Sequence, residues 1–343
     1  MIRFNNDYNQ GTLPEILSAL NSTNENSFAG YGTDELCEKA KAEIQKYIKC
    51  PDAKIHFFIG GTQVNFVSIA AALRPFEGII CAESAHINVH ETGAVENSGH
   101  KVLALKAENA KISSDQVEKV AAEFETSPVQ EHIVQPKMVY LSQPTEFGTI
   151  YSKKELEEIS AVCKKHGLFL YVDGARLSYA LCCQENSVML EDLARLCDMF
   201  YIGGTKCGAL FGEALVISNP LLQKNFRSYI KQNGALLAKG WLLGLQFYEL
   251  FKDGLYFRAS KNACDSAQRI KNAFLEKGIK PYIESPTNQQ FFVVSEKIKN
   301  ELQKNFYFEE EGKTSDGTII RFCTSWSTKV EDVDFLVQEI NKL

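Results

Sequence analysis

A lysine lies at the end of an apolar segment in the stretch FYIGGTKCGALFGE, residues 200–213. Lys206 follows a short run of strand-forming residues and has glycines on both sides. A lysine in a buried site has a lowered pKa, and its neutral amine can attack a carbonyl carbon to form a Schiff base. The glycines permit tight turns and the close approach of a ligand. The alternative is a surface lysine in a loop.

A second polar cluster ends another apolar segment, YVDGAR, residues 171–176. Asp173 is costly at the end of a buried strand unless a partner satisfies it, and the protonated ring nitrogen of a ligand is one such partner. Arg176 follows three residues later, and its planar guanidinium can bind a carboxylate. The alternative is that Asp173 and Arg176 pair with each other or with neighbouring side chains.

Two further motifs follow predicted strands. GGTQVN, residues 60–65, combines two glycines, a threonine and a helix start, so its backbone N–H groups can cradle an anion, although a plain strand-to-helix turn fits equally well. His86 and His90 are four residues apart and share a face if helical. A metal site needs a third ligand that is not evident, so we expect no metal, and the position directly after a strand favours His86 as functional.

The elements that position these residues alternate between apolar segments and amphipathic segments, which predicts an α/β domain with a largely parallel sheet. Ligands of such sheets bind at the carboxyl ends of the strands, where the four motifs lie. The predicted strands are residues 56–60, 78–83, 101–106, 138–143, 168–175, 199–206 and 214–218.

The chain divides into three predicted parts. Residues 1–30 form an extended N-terminal arm with little core of its own, and residues 31–240 form the large α/β domain. Residues 241–343 form a small C-terminal α+β domain, with long helices around 241–252 and 259–277.

Composition excludes several classes of function. The net charge of the 343 residues is -6 and no basic patch stands out, which argues against nucleic acid or an anionic membrane as partner. No apolar run approaches the ~18 residues of a membrane-spanning helix, and the first residues do not resemble a secretion signal. The 10 cysteines are scattered without a CxxC pair, so we expect reduced thiols in a cytoplasmic protein.

The order of these motifs is more specific than each motif alone. An anion-binding turn, a histidine, a strand-end aspartate and a strand-end lysine follow one another, and the chain resembles the threonine aldolase and β-eliminating lyase group of fold type I pyridoxal phosphate enzymes. The resemblance implies the fold of those enzymes and pyridoxal 5'-phosphate as cofactor. The segments that carry it are NND near the start, YGTDE (31–35), GGTQVN, ESAH, VDGAR, GGTKCGALFG and IIRFCTS.

The resemblance implies a role for each cofactor-binding residue. Lys206 binds the cofactor covalently, and Asp173 pairs with its pyridine nitrogen, which keeps the ring protonated as an electron sink. His86 stacks on the ring, while Gly61 and Thr62 hold the phosphate.

It also implies how the substrate and a second subunit take part. Arg176 and Arg321 bind the α-carboxylate of an amino acid substrate, helped by Asn6 of the N-terminal arm. Tyr31 and Lys231 complete the active site of a neighbouring subunit, Lys231 at the phosphate. The resemblance therefore implies a homo-oligomer, by analogy a tetramer built from dimers.

Three positions depart from the family pattern. Glu146, in PTEFG, replaces a histidine, Asn6 stands where a serine is usual, and Lys239 lies where the family has an arginine.

The reaction that the resemblance implies is the cleavage of threonine, allo-threonine or phenylserine to glycine and an aldehyde. The general base is His86, a bound water or Glu146. Another pyridoxal phosphate reaction, such as β-elimination or transamination, and a catalytically idle binding protein remain as alternatives. Substrate preference and stereochemistry stay open.

Overall fold

The computed structural model describes residues 1–343. The strands are β1 (Ile2–Arg3), β2 (Lys54–Phe58), β3 (Glu77–Ala82), β4 (Lys101–Leu105), β5 (Gln135–Ser142), β6 (Phe169–Asp173), β7 (Met199–Gly203), β8 (Glu213–Ile217), β9 (Pro281–Ile283), β10 (Gln289–Val294), β11 (Phe306–Tyr307), β12 (Glu309–Thr314) and β13 (Gly317–Cys323). The helices are α1 (Pro14–Thr23), α2 (Glu35–Ile48), α3 (Gly61–Ala72), α4 (His86–Val89), α5 (Ala94–Asn97), α6 (Ser114–Glu125), α7 (Lys153–Lys165), α8 (Leu177–Cys182), α9 (Leu190–Leu196), α10 (Phe226–Gln232), α11 (Trp241–Lys252), α12 (Leu255–Glu276), α13 (Glu296–Gln303) and α14 (Val330–Asn341).

A seven-stranded sheet forms the centre of the molecule, in the order β2-β8-β7-β6-β5-β3-β4. Strand β8 runs antiparallel to both neighbours, and the other strand pairs are parallel. Every residue of β3, β7 and β8 is buried, as expected for strands covered by helices on both faces. The predicted α/β fold with a mostly parallel sheet is confirmed.

A second, antiparallel sheet in the order β12-β13-β10-β9 lies in the C-terminal part. Its core is a separate cluster of buried residues that includes Phe274, Phe292 and Leu336. The larger core continues past residue 240 through α11 to Cys264 in α12, because α11 packs against α2. The domain boundary at residue 240 stays a prediction.

The N-terminal segment is more regular than an extended arm. Helix α1 begins at Pro14, a residue favoured in the first turn, and Leu13 and Ile16 are buried in the larger core. The expectation of an extended segment is therefore wrong for residues 14–23, which form a helix packed on the larger core. Strand β1 pairs in parallel with β11, which joins the start of the chain to the C-terminal part.

Two glycines let the ends of β6 and β7 approach each other. The N–H of Gly203 donates to the carbonyl oxygen of Gly174 at 2.9 Å. A Cβ on Gly174 would collide with the backbone of Tyr201, and one on Gly203 with the backbone of Ala175. Larger residues would push apart the two strand ends that carry Asp173 and Lys206.

None of the helices is both long enough and apolar enough to cross a membrane.

Candidate active site

A cavity of about 210 Å³ lies at the carboxyl ends of the central parallel strands. It brings together seven residues that the sequence singles out, from five separate segments. These are Gly61, Thr62, His86, Glu146, Asp173, Arg176 and Lys206.

Asp173 ends β6 and is almost fully buried. The hydroxyls of Tyr140 and Tyr201 donate to its two oxygens, each at 2.5 Å. The side-chain amide of Asn65 donates to Oδ2 at 3.0 Å, and the N–H of Ala175 donates to Oδ1 at 2.9 Å. Burial, followed by the charge of Asp173, raises the pKa of both tyrosines well above the ordinary value, so they stay protonated donors. The alternative pairing of Asp173 with Arg176 is wrong.

Lys206 follows β7 in a loop that closes on itself. Burial, followed by the charge of Arg176, lowers the pKa of the Lys206 amine, which favours the neutral nucleophile. Glu213 closes the loop, because its carboxylate accepts from the N–H of Gly204 at 3.0 Å and from the hydroxyl of Thr205 at 2.8 Å. Burial raises the pKa of Glu213, although these two hydrogen bonds oppose the rise.

His86 and Glu146 lie side by side in the cavity wall. Glu146 Oε1 accepts from the backbone N–H of His86 at 2.8 Å and from the hydroxyl of Ser142 at 2.6 Å. Burial raises the pKa of Glu146, while the Ser142 hydrogen bond opposes that rise. The imidazole of His86 lies 5.5 Å from that of His90, which confirms that the two histidines face the same side.

The two arginines already have partners within the chain. Arg176 binds Asp7 through Nε at 2.6 Å and Nη2 at 3.1 Å, and this buried pair lowers the pKa of Asp7 although burial alone would raise it. Arg321 lies outside the cavity lining and pairs with Glu311 at 3.0 Å. Its Nη2 also donates to the carbonyl oxygen of Asn5 at 3.0 Å.

Four other sequence candidates do not line the cavity. Asn6 caps a turn of the N-terminal segment by accepting from the N–H of Tyr8. Tyr31 and Lys231 contact each other on the surface, with the Lys231 ammonium 4.6 Å from the centre of the tyrosine ring. Lys239 is exposed.

Sequence reasoning missed several residues that build the site. Asp7 and Asn65 lie inside motifs that were recognised, but their partners come from distant parts of the chain. Glu213 carries a usable signal, since it is an acid at the start of a fully buried strand. Tyr140 and Tyr201 carry none, because a tyrosine in an apolar strand looks like any other core aromatic.

The residues present fit pyridoxal phosphate. Helix α3 begins at the cavity, no side chain caps its N-terminus, and Gly60 has open space around it, which suits a phosphate group. Thr62 adds a hydroxyl beside those N–H groups. The same cavity offers a carboxylate for a protonated ring nitrogen and an amine for an aldehyde.

Comparison with known proteins decides the family. The model of the β-eliminating lyase family matches residues 12–296. The chain belongs to the β-eliminating lyase family. Among members of known sequence, a low specificity L-threonine aldolase of Pseudomonas aeruginosa is 30% identical over 98% of this chain and 96% of its own length. The corresponding protein of Pseudomonas sp. strain NCIMB 10558 is 29% identical, with the same coverage.

Solved structures agree with this β-eliminating lyase assignment. A threonine aldolase of Leishmania major is 43% identical, with a TM-score of 0.97 over 100% of this chain and 99% of that one. Cystalysin of Treponema denticola, a structure that contains pyridoxal 5'-phosphate, is 18% identical with a TM-score of 0.70 over 96% of this chain and 87% of that one. The second likeness supports the fold, which is that of the fold type I enzymes.

Proposed function

We propose that this chain is a pyridoxal phosphate-dependent aldolase that cleaves β-hydroxy-α-amino acids of the threonine, allo-threonine or phenylserine type to glycine and an aldehyde. The observation that carries the proposal is one cavity holding Lys206, Asp173 and the uncapped start of α3. The threonine aldolases among its relatives, one of them 43% identical over the whole chain, support this reaction.

The cavity residues divide the work of holding the cofactor. Gly61 and Thr62 bind the phosphate, Lys206 bonds to the aldehyde carbon, Asp173 pairs with the ring nitrogen, and His86 stacks on the ring. When bound, pyridoxal phosphate supplies a sink for the electron pair that is left on the substrate Cα. The tyrosines around Asp173 keep its carboxylate aimed at one point.

Substrate binding is assigned to Arg176 in the cavity wall and to two residues outside the lining, Arg321 and Asn6, beside the N-terminal segment. Arg176 and Arg321 bind the α-carboxylate, with help from Asn6. Asp7 accepts from Nε and Nη2 of Arg176, which leaves the third guanidinium nitrogen, Nη1, available for the substrate carboxylate. The β-hydroxyl proton goes to His86 or Glu146, which both lie in the cavity wall, or to a bound water.

The active site is shared between subunits of a homo-oligomer in this proposal. Tyr31 and Lys231 are exposed and touch each other rather than their own cavity, as expected if they reach the cavity of a neighbouring subunit. By analogy the assembly is a tetramer built from dimers. The protein is assigned to the cytoplasm, in keeping with ten cysteines that form no disulfide.

Aldehyde and glycine release tests the reaction directly. The purified holoenzyme is incubated with threonine, allo-threonine and phenylserine, and both products are quantified. We expect equal amounts of glycine and aldehyde from at least one substrate. Release of ammonia and an α-keto acid instead would identify a β-elimination. In a parallel incubation with an added α-keto acid as amino acceptor, formation of the corresponding new amino acid would identify a transamination. Cofactor binding without any turnover would leave a binding protein.

A further inference from the structure

Glu91 is a buried carboxylate that the cavity lining does not include. It follows α4, and its side chain is 0% exposed. Burying a carboxylate is unfavourable unless charged or hydrogen-bonding partners compensate. Its position therefore demands specific partners.

Those partners are His86 and Asn65. Glu91 Oε1 lies 2.7 Å from His86 Nδ1 and accepts from Asn65 Nδ2 at 2.7 Å. The second hydrogen of that amide points to Asp173 Oδ2 at 3.0 Å. The Tyr171 hydroxyl donates to Asn65 Oδ1 at 2.8 Å, which fixes the orientation of the amide. One asparagine thus joins the carboxylate behind the histidine to the carboxylate expected at the cofactor ring.

This arrangement fixes the tautomer of the imidazole. A carboxylate only accepts hydrogen bonds, so the His86 nitrogen beside Glu91, Nδ1, carries the hydrogen. In the neutral ring the lone pair is then on Nε2, which makes no hydrogen bond within the chain. His86 lines the cavity and its side chain is 35% exposed.

The surroundings of the second carboxylate oxygen of Glu91 indicate that this carboxylate can stabilise a positive charge on His86. Oε2 is buried and has no hydrogen-bond partner. The negative charge is therefore only partly compensated while the ring is neutral, and a proton arriving at Nε2 creates the compensating positive charge. A carboxylate behind a catalytic histidine acts in this way in hydrolytic triads.

We propose that Glu91 is a positioning residue that makes Nε2 of His86 the acceptor of the substrate β-hydroxyl proton, an inference that rests on the proposed function. The O–H bond breaks and an N–H bond forms at Nε2. The electron pair of the O–H bond becomes the second bond of the aldehyde carbonyl, and the electron pair of the Cα–Cβ bond stays on Cα. A proton returned to Cα completes glycine, and loss of the Nε2 proton restores His86.

The first test reads the tautomer itself. Nitrogen-15 NMR of the histidine-labelled holoenzyme, with the signal assigned by His86→Gln, should show Nδ1 protonated and Nε2 unprotonated in the neutral ring. In Glu91→Gln the amide can either donate or accept, so the pattern should become mixed or reversed. Nε2 protonation in the neutral ring of the unmodified protein would overturn the proposal without any variant. This readout does not depend on turnover.

The second test follows aldehyde release. Glu91→Gln should lower kcat/KM by about a hundredfold or more, the size of a general-base contribution, with cofactor absorbance and glycine affinity within about twofold. The matched control is Glu83→Gln, an exposed acid on the same segment, which should change kcat/KM less than about twofold. Glu91→Asp, which keeps the charge, should recover part of the loss and serves also if the glutamine variant does not fold.

The two proposals fail in different ways. Normal turnover in Glu91→Gln would overturn the role of Glu91 and leave the aldolase intact. Absence of aldehyde from every substrate with the unmodified enzyme would overturn the aldolase, while the tautomer would still report whether Glu91 orients His86.

Discussion

The surroundings of Asp173 and of Tyr31 are opposites. Asp173 is 5% exposed and receives hydrogen bonds from three side chains and one backbone N–H of its own chain. Tyr31 is 44% exposed and has Lys231 against its ring, with Arg227 donating to its carbonyl oxygen. One region is completed within a single chain, whereas the other presents its side chains outward.

The backbone conformation of Tyr31 is also unusual. Tyr31 has a φ of 61°, in the left-handed region that a bulky residue rarely adopts. Such a conformation costs on the order of 1–3 kcal/mol and points to a functional constraint where it is observed. The cost at Tyr31 is explained if the ring is held outward for a second subunit. A residue whose contacts are completed within one chain, such as Asp173, and a residue that acts across an interface, such as Tyr31, should therefore respond differently to substitution.

The largest expected effect is at Lys206. Lys206→Ala removes the amine that bonds to the cofactor, and turnover should fall on the order of 10⁴-fold or more, as for loss of other covalent catalytic groups. Aldehyde release and the visible absorption of the bound cofactor are the measurements. Lys224→Ala, at an exposed lysine, is the matched control and should change neither. Borohydride labelling of any other lysine would contradict the assignment.

Asp173→Asn should lower kcat by about 10²–10³-fold, the range seen when a preorganised electrostatic contact is removed. The cofactor should stay bound, because its phosphate and Lys206 contacts are untouched. Tyr140→Phe removes one donor but leaves the carboxylate, so its loss should stay below about tenfold. Near-normal turnover of the asparagine variant would show that Asp173 is not the partner of the ring nitrogen.

Hybrid oligomers test whether Tyr31 acts across an interface. Lys206→Ala and Tyr31→Ala chains, each weakly active alone, are co-refolded in equal amounts. If the sites are shared within dimers, random pairing gives about a quarter of all sites both intact residues. Activity well above that of the two parents is expected. Activity equal to their average, or an active monomer in analytical ultracentrifugation, would place Tyr31 in the site of its own chain.

The sequence predicted what depends on local pattern and order. The strand ends carrying Asp173 and Lys206 were found because a charge at the end of an apolar run is conspicuous. The Arg176–Asp7 pair joins residues 169 positions apart, and the Glu91–Asn65 pair joins a loop to a helix, so no local pattern could reveal either. Helix α1 was missed because its short apolar pattern is stabilised by packing on the larger core.

Glu146→Gln should have a smaller effect. The amide oxygen of glutamine can still accept from Ser142 and from the N–H of His86, so turnover should stay within about fivefold if His86 is the base. Substrate turnover and glycine affinity are measured on the same variant. A loss of about a hundredfold with unchanged glycine affinity would move the role of base to Glu146.

The smallest expected effect concerns stability at Glu213. Burial raises the pKa of this carboxyl, so the folded chain holds its proton more tightly than the unfolded chain does. The resulting stability is fully present below the unfolded pKa of about 4.3 and is lost as the pH rises through the raised folded pKa.

Glu213→Gln cannot ionise, and it keeps an oxygen for the N–H of Gly204. Both proteins are compared without cofactor. The Tm of the variant minus that of the unmodified protein should increase by about 2 °C or more between about pH 5 and about pH 9. Glu185→Gln, at an exposed acid without an ion pair, should show a constant difference. A difference at Glu213 that is flat or falls with pH would mean that Lys206 keeps the Glu213 carboxylate ionised, and the closed loop would then be held by a charged pair.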